Sequence, residues 1–229
     1  MQFKPDSLQK KYFRINSKNN RGLFLTILLF SFIRTFAAPV DTIWTIYQDG
    51  EFTTQCVRSF NVPNQIVSDI SDYLVSDFHD NPENLFNWAL KDLGLQNKKN
   101  ELIIAFVSSV NDNKTGITHG VFDVIVPNFT TFKGIKVDAK VSKTSYKNGL
   151  IKVNADIAYS TLLLDRALGV FTFVPQKNNE QIFIANVKIK FGWFFNLFMT
   201  KKRYKNIVEW RVKKFADNMK KECLSRKAN

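Results

Sequence analysis

Residues that bind metals or act as nucleophiles are scarce in this sequence. Its 229 residues include two cysteines, Cys56 and Cys223, and two histidines, His79 and His119. Their spacing matches no metal-ligand pattern, so we predict no structural zinc site. The sequence also lacks a nucleophile elbow and a glycine-rich phosphate loop. We therefore expect no metal and no cofactor.

Apolar runs long enough to cross a membrane are also missing, which excludes a polytopic membrane protein. The main apolar run, Leu23–Ile33, has eleven residues, whereas a transmembrane helix needs about 20. The basic segment 1–22 precedes this run, and the small residues Thr35 and Ala37 follow it. This order is typical of a secretory signal peptide that is cleaved after Ala37.

Two alternatives remain for the apolar run: an uncleaved membrane anchor or an ordinary buried helix. After cleavage, residues 38–229 form a single domain that we expect to be exported, either periplasmic or secreted. Cys56 and Cys223 could form one disulfide in such an oxidising compartment. Otherwise they are two separately buried thiols.

Positive charge dominates the ends of the chain rather than its body. The formal net charge is +13. Residues 1–37 contain seven bases and one acid, and residues 200–229 contain eleven bases and three acids. The body, residues 38–199, has 15 bases and 16 acids. We therefore interpret the basic ends as a leader and one solvated helix face, and we expect no nucleic-acid partner.

The composition, with 45 % hydrophobic and 23 % charged residues, is that of a folded domain. Its first predicted element is a strand over Glu51–Phe60, and Thr42–Tyr47 either extends that strand or pairs beside it. Apolar residues spaced three and four apart then predict a helix from Ile66 to Phe78. A second short helix is predicted over Glu83–Leu93.

A period of two residues follows and predicts six antiparallel strands of a meander. These are Leu102–Val110, Thr118–Val126, Phe132–Ser142, Leu150–Tyr159, Val170–Val174 and Gln181–Phe191. The alternation places every second residue on one inward face, including Ile135 to Val141, Ile151 to Tyr159 and Phe183 to Phe191. The segment Leu162–Leu168 fits either a strand or a helical turn. From Tyr204 to Cys223 the period becomes helical, which predicts one amphipathic C-terminal helix of about 25–30 residues.

This order of elements resembles the helix-grip fold of the START-like (SRPBCC) superfamily, over Glu51–Leu224. That resemblance implies an α+β fold in which a curved antiparallel sheet of about seven strands wraps around a long C-terminal helix, with two short helices after the first strand. It also implies a cavity between sheet and helix that binds a hydrophobic small molecule or lipid, and we expect this binding to be non-catalytic. The predicted wall positions are Trp88, Phe106, Phe122, Val137, Ile157, Phe173, Phe183, Tyr204, Val208 and Phe215.

Two other functions stay open. A START-like enzyme of the cyclase or hydrolase type could use His119 and Asp123 as an acid–base pair on one strand. A membrane- or protein-interaction module with a filled core could dock through an aromatic segment beside a basic cluster. The candidate contacts are Trp193, Phe194, Lys201, Lys202 and Arg203. The same segment also fits the entry into the last helix, packed under the sheet.

The leader predicts where the mature chain begins. When the full chain is expressed in a host with a working secretion pathway, we expect the exported protein to start at Ala38. Intact-mass measurement and N-terminal sequencing test this, with the Ala37→Arg variant as a control that should stay uncleaved. A full-length wild-type chain, in the membrane or in the cytosol, would contradict the prediction.

Overall fold

A computed structural model describes residues 41–80, 103–126, 128–157, 164–197 and 199–228, without the side chains of residues 77–79, 103, 104 and 194. The predicted leader and the predicted helix Glu83–Leu93 lie outside the described residues. Residues Pro39–Asn229 form one compact unit.

Eight strands in the described residues form one sheet. They are β1 (Thr42–Gln48), β2 (Glu51–Asn61), β3 (Ile103–Asp112), β4 (Ile117–Val126), β5 (Thr130–Ser145), β6 (Ile151–Ile157), β7 (Leu164–Pro175) and β8 (Glu180–Phe191). The helices are α1 (Asn64–Asp80), α2 (Trp193–Asn196), α3 (Lys201–Tyr204) and α4 (Trp210–Ala228), with a 3-10 turn at Lys177–Asn179 and a π turn at Lys205–Glu209. We call α3, the π turn and α4 together the C-terminal helix.

The strand order is β1-β2-β8-β7-β6-β5-β4-β3. Every neighbouring pair is antiparallel. Strands β3 to β8 therefore form the predicted meander, and β8 closes beside β2. The predicted helix-grip arrangement, an antiparallel sheet with a helix after its first strands and a long C-terminal helix, is confirmed.

The first strand brings the sheet to eight strands, where the sequence predicted about seven. β1 pairs with β2 along its whole length. Asp49 and Gly50 join the two strands with φ angles of 51° and 78°. Two positive φ angles in a two-residue turn follow the right-handed twist of the strands. Thr42–Tyr47 therefore pairs beside the next strand and does not extend it.

The described part of the ambiguous segment Leu162–Leu168 is a strand. Within β7, Ala167 pairs with Ile157 on β6 and with Ile189 on β8. These two neighbours satisfy the backbone groups of β7 on both sides. The local sequence fits a strand and a helical turn equally well, and pairing with β6 and β8 selects the strand.

One face of the sheet, which we call the inner face, is covered by helices. α1 packs against β5 and β6, and α4 packs against β2 and β8. A large core cluster lies between these elements and includes Phe173, Phe183, Ile70 and Met219, all fully buried. We call it cluster 1. It buries the apolar side of the alternating strands.

The C-terminal helix has the predicted length but not a uniform geometry. It runs from Lys201 to Ala228, which is about 42 Å at 1.5 Å per residue. After the π turn its buried residues are Val212, Ala216, Met219 and Cys223. Ala216 is fully buried, whereas the predicted Phe215 packs at the edge of cluster 1. No helix within the described ranges is long and apolar enough to cross a membrane.

Cluster 1 predicts where truncation is most costly. Phe183 is fully buried, with its ring centroid 4.8 Å from that of Phe173. Phe183→Ala should lower the free energy of unfolding by about 3–5 kcal/mol, because it leaves a cavity. Val110 is 69 % exposed, so Val110→Ala should cost less than about 0.5 kcal/mol. Urea unfolding of the chain beginning at Pro39 measures both, and equal losses would contradict the assignment of the core.

Candidate ligand-binding site

The strand register places the predicted wall positions of the sheet on one face. Phe106 pairs with Phe122, Val137 pairs with Gly120 on the same strand as Phe122, and Phe173 pairs with Phe183. All the predicted strand positions lie on the inner face: Phe106, Phe122, Val137, Ile157, Phe173 and Phe183. Tyr204, Val208 and Phe215 pack against that face from the C-terminal helix. Trp88 lies outside the described residues.

Five of the predicted positions belong to packed core. Phe173 and Phe183 are fully buried in cluster 1, and Phe215 packs against it. Tyr204 is fully buried in a second cluster, with Phe52, Val124, Phe195 and Met199, which we call cluster 2. Val208 packs against both clusters. These five side chains therefore hold the helix on the sheet.

The other four described positions differ from these. Phe106, Phe122, Val137 and Ile157 are partly buried and belong to neither cluster. They lie on the consecutive strands β3 to β6. We call these four residues the central strip. Their predicted role as a ligand wall stays a prediction.

Small residues flank the central strip on the inner face. Ile157 pairs with Ala139 on one side and with Ala167 on the other. Ala155 lies one inner-face position further along β6 and pairs with Gly169. Alanine and glycine fill little of the space between a sheet and its covering helix. The alternation predicted that Ala139 and Ala155 face inward, but not that they lie together beside larger, half-buried side chains.

The Phe122 ring lies over its neighbour Gly120. A Cβ atom at position 120 would lie 2.7 Å from Cε2 of Phe122, so this position accepts only glycine while the ring keeps its place. The Phe122 ring also meets that of Phe106 edge to face, with centroids 5.7 Å apart, a favourable arrangement for aromatic pairs. Both aromatic rings of the strip are thus held in defined positions.

A chain of hydrogen bonds crosses the interior beside the π turn. The Tyr204 hydroxyl bonds to Thr54 Oγ1 at 2.9 Å, and Thr54 Oγ1 bonds to Thr45 Oγ1 at 3.0 Å. The Thr45 hydroxyl donates to a carboxylate oxygen of Glu209. Burial raises the pKa of Tyr204 to about 12, so its hydroxyl keeps its proton at neutral pH. The sequence carried no signal that Tyr204 and Glu209 would be linked to β1 and β2 by one series of hydrogen bonds.

Arg58 is a buried charged residue on the inner face of β2. Its side chain is 6 % exposed, and Nε donates to Asp217 Oδ1 at 2.6 Å. Nη1 donates to the carbonyl oxygen of Val57 at 2.8 Å. A buried charge needs such partners, and Arg58 finds them within the protein. It therefore fastens β2 to α4.

The predicted pair of His119 and Asp123 is wrong. His119 Nδ1 lies 2.7 Å from Asp138 Oδ1 on the neighbouring strand. Asp123 Oδ1 instead accepts from the backbone N–H of Gly134 at 2.9 Å. Directly opposed residues on antiparallel strands are about 5 Å apart, whereas residues four apart on one strand are about 13 Å apart. His119 and Asp123 both lie on the outer face, because Thr118, Gly120 and Phe122 occupy the inner one.

The aromatic segment after β8 is partly packed in the core and partly exposed. Phe195 and Met199 are buried in cluster 2, as expected for entry into a packed helix. Trp193 and Leu197 are each 70 % exposed. Lys201, Lys202 and Arg203 are exposed as well. The side chain of Phe194 lies outside the description.

In the part of the chain that the structure describes, no three side chains of His, Cys, Asp or Glu are grouped so that they could hold a metal ion.

Comparison with known proteins gives structural similarity without sequence similarity. No protein-family model matches the chain, and no curated protein matches it. A norcoclaurine synthase point mutant of Thalictrum flavum, in complex with a transition-state analogue, is 12 % identical, with 81 % of this chain and 99 % of that chain covered and a TM-score of 0.42. A START superfamily protein of Mycobacterium smegmatis is 8 % identical, with 76 % and 97 % covered and a TM-score of 0.41.

A third similar structure is the STAR-related lipid transfer protein of Xanthomonas axonopodis. It is 9 % identical, with 80 % of this chain and 99 % of that chain covered and a TM-score of 0.44. The assignment of the helix-grip fold itself rests on the strand order and the helices described above.

The two cysteines are free and buried, so the disulfide alternative is wrong. Both belong to cluster 1. Burial raises the pKa of Cys56 to about 11 and that of Cys223 to about 12. Because the thiolate is the reactive form of cysteine, both thiols should be inert in the folded protein.

Thiol labelling tests this assignment. Iodoacetamide should modify neither Cys56 nor Cys223 in the native protein at neutral pH, and both after unfolding without a reductant. The Ser225→Cys variant adds an exposed thiol on the same helix as a control, and that thiol should react readily. Native labelling of Cys56 or Cys223 at the control rate would contradict their burial, and a lack of labelling after unfolding would indicate a disulfide.

Proposed function

We propose that this protein is an exported, non-catalytic domain that binds a hydrophobic small molecule or lipid between the sheet and the C-terminal helix. The ligand contacts the central strip of Phe106, Phe122, Val137 and Ile157. Its remaining contacts come from the C-terminal helix.

One observation carries this proposal. The central strip consists of apolar side chains on the inner face that are only partly buried, although the side chains of cluster 1 and cluster 2 on the same face are packed. Burying apolar surface contributes about 25 cal/mol per Å². An apolar ligand on the strip therefore gains free energy by covering surface that the protein itself leaves partly open. The small residues Ala139, Ala155 and Ala167 beside the strip provide room for it.

The interior polar groups support binding rather than catalysis. Thr54 and Tyr204 bond to each other, and Arg58 is paired with Asp217. The buried Thr118 donates to Asn111 Oδ1 at 2.7 Å. A catalytic site needs acid and base groups that converge on the substrate, whereas these groups are engaged in holding elements together. The His119–Asp138 pair is exposed on the other face of the sheet.

Export is the second part of the proposal and is supported by the leader. The basic segment, the short apolar run and the small residues up to Ala37 form the pattern that secretion machinery recognises. The compact unit starts at Pro39, so cleavage after Ala37 leaves the whole sheet intact. The folded domain then acts outside the cytosol.

Occlusion of the central strip tests the binding site. The probe is 1-anilinonaphthalene-8-sulfonate, an apolar fluorescent anion, titrated into the chain beginning at Pro39. Val137→Trp adds a large side chain to the strip and should weaken saturable binding at least tenfold. Lys136→Trp places the same side chain at the next residue of β5, which is exposed on the outer face, and should leave binding within about twofold of wild type.

Two outcomes would overturn the binding site. One is a wild-type protein that shows no saturable binding, because its core is then filled. The other is an equal loss in both variants. Thermal unfolding of each variant is measured in parallel, and Ile157→Trp serves as a second occluding variant if Val137→Trp is unfolded.

A further inference from the structure

Three large apolar side chains are exposed at one end of the sheet. Trp193 and Leu197 are each 70 % exposed, and Phe129 is 61 % exposed. Trp193 and Leu197 follow the last residue of β8, and Phe129 lies in the turn between β4 and β5. Because all strands are antiparallel, the end of β8 and the end of β4 lie at the same end of the sheet. We call this the docking end.

The exposed residues after β8 belong to a segment that is anchored from within. Phe195 and Met199 lie in the same short stretch as Trp193 and Leu197, and both are buried in cluster 2. The Met199 N–H donates to the carbonyl oxygen of Phe195 at 3.0 Å, and the Asn196 N–H donates to that of Gly192 at 2.9 Å. The apolar side chains are therefore presented on a fixed backbone, which lowers the entropic cost of docking.

Positive charge lies directly beside these apolar side chains. Lys201, Lys202 and Arg203 are exposed at the start of the C-terminal helix. Residues 192–208 contain no Asp or Glu. Lys201 Nζ lies 5.2 Å from the centroid of the Tyr47 ring, which ties this part of the basic cluster to the edge strand β1.

Acidic side chains at the same end are mostly neutralised by lysines of β8. Glu51 lies 3.7 Å from Lys188, and Asp165 lies 2.8 Å from Lys190. Asp49 adds one carboxylate in the turn between β1 and β2. The described residues of the docking end therefore carry net positive charge beside the exposed apolar side chains.

We propose that the docking end binds the surface of a bilayer that contains anionic lipids. Trp and Leu side chains favour the boundary between headgroups and acyl chains, and neighbouring Lys and Arg residues are attracted by anionic headgroups. The combination of exposed apolar side chains with a cluster of three cations fits an anionic lipid surface, which offers both an apolar layer and negative charge. This proposal does not depend on a ligand at the central strip.

Vesicle sedimentation tests the proposal with the chain beginning at Pro39, so that the leader cannot bind the vesicles. One series of vesicles contains 70 % phosphatidylcholine and 30 % phosphatidylserine, roughly the anionic content that gives a strongly negative surface. The other series contains phosphatidylcholine alone. Wild-type protein should bind the anionic vesicles, and its affinity for the neutral vesicles should be at least tenfold lower.

Two double variants probe the docking end. Trp193→Ser with Leu197→Ser removes apolar contacts, and Lys202→Glu with Arg203→Glu reverses the charge. Each should weaken binding at least tenfold. The matched control is Lys213→Glu with Lys221→Glu, which changes the net charge equally at exposed positions further along the same helix and should stay within about threefold of wild type.

The proposal is overturned if wild-type protein does not sediment with anionic vesicles. It is also overturned if the Lys213 and Lys221 control loses as much vesicle affinity as the Lys202 and Arg203 variant. Binding would then depend on the positive charge of the whole helix and not on the docking end. A protein partner instead of a membrane would appear as the first of these outcomes. The Trp193 and Leu197 variant should keep its binding of 1-anilinonaphthalene-8-sulfonate, so failure of this surface is distinguishable from failure of the ligand site.

Discussion

The apolar inner face of a single antiparallel sheet has to be covered, because leaving it in water costs more free energy than the fold can spare. In this protein α1 covers β5 and β6, and the C-terminal helix covers β2 and β8. Cluster 1 and cluster 2 form where these helices meet large side chains of the sheet, whereas the partly buried side chains of the central strip belong to neither cluster.

The edge strand β1 and the π turn both help to hold the C-terminal helix on the sheet. β1 brings Thr45 beside Thr54, and the π turn places Tyr204 and Glu209 so that the helix joins this row of hydroxyl groups. A π turn carries one residue more than an α-helical turn, and such turns occur often at functional sites. Here the turn fixes the start of the C-terminal helix against β1 and β2.

Much of the fold could be predicted from the sequence, because apolar residues recur every two residues in the strands and every three or four residues in the helices. Alternation over Ile135 to Val141 and over Phe183 to Phe191 predicted which side chains face inward, and the register confirms it. Features that depend on cross-strand partners could not be predicted. His119 meets Asp138 because of register, and the described part of Leu162–Leu168 is a strand because two neighbours pair with it. Nor does composition distinguish Phe173, which fills the core, from Phe122, which is partly open.

The central proposal is that an apolar molecule binds along the central strip. Native mass spectrometry of the chain beginning at Pro39, expressed in cells and purified without detergent, tests it most directly. The account predicts a discrete added mass on the folded protein that disappears on acid denaturation and reappears in the organic extract as an apolar compound. A folded protein that carries only its sequence mass, before and after incubation with a lipid extract, would contradict the claim.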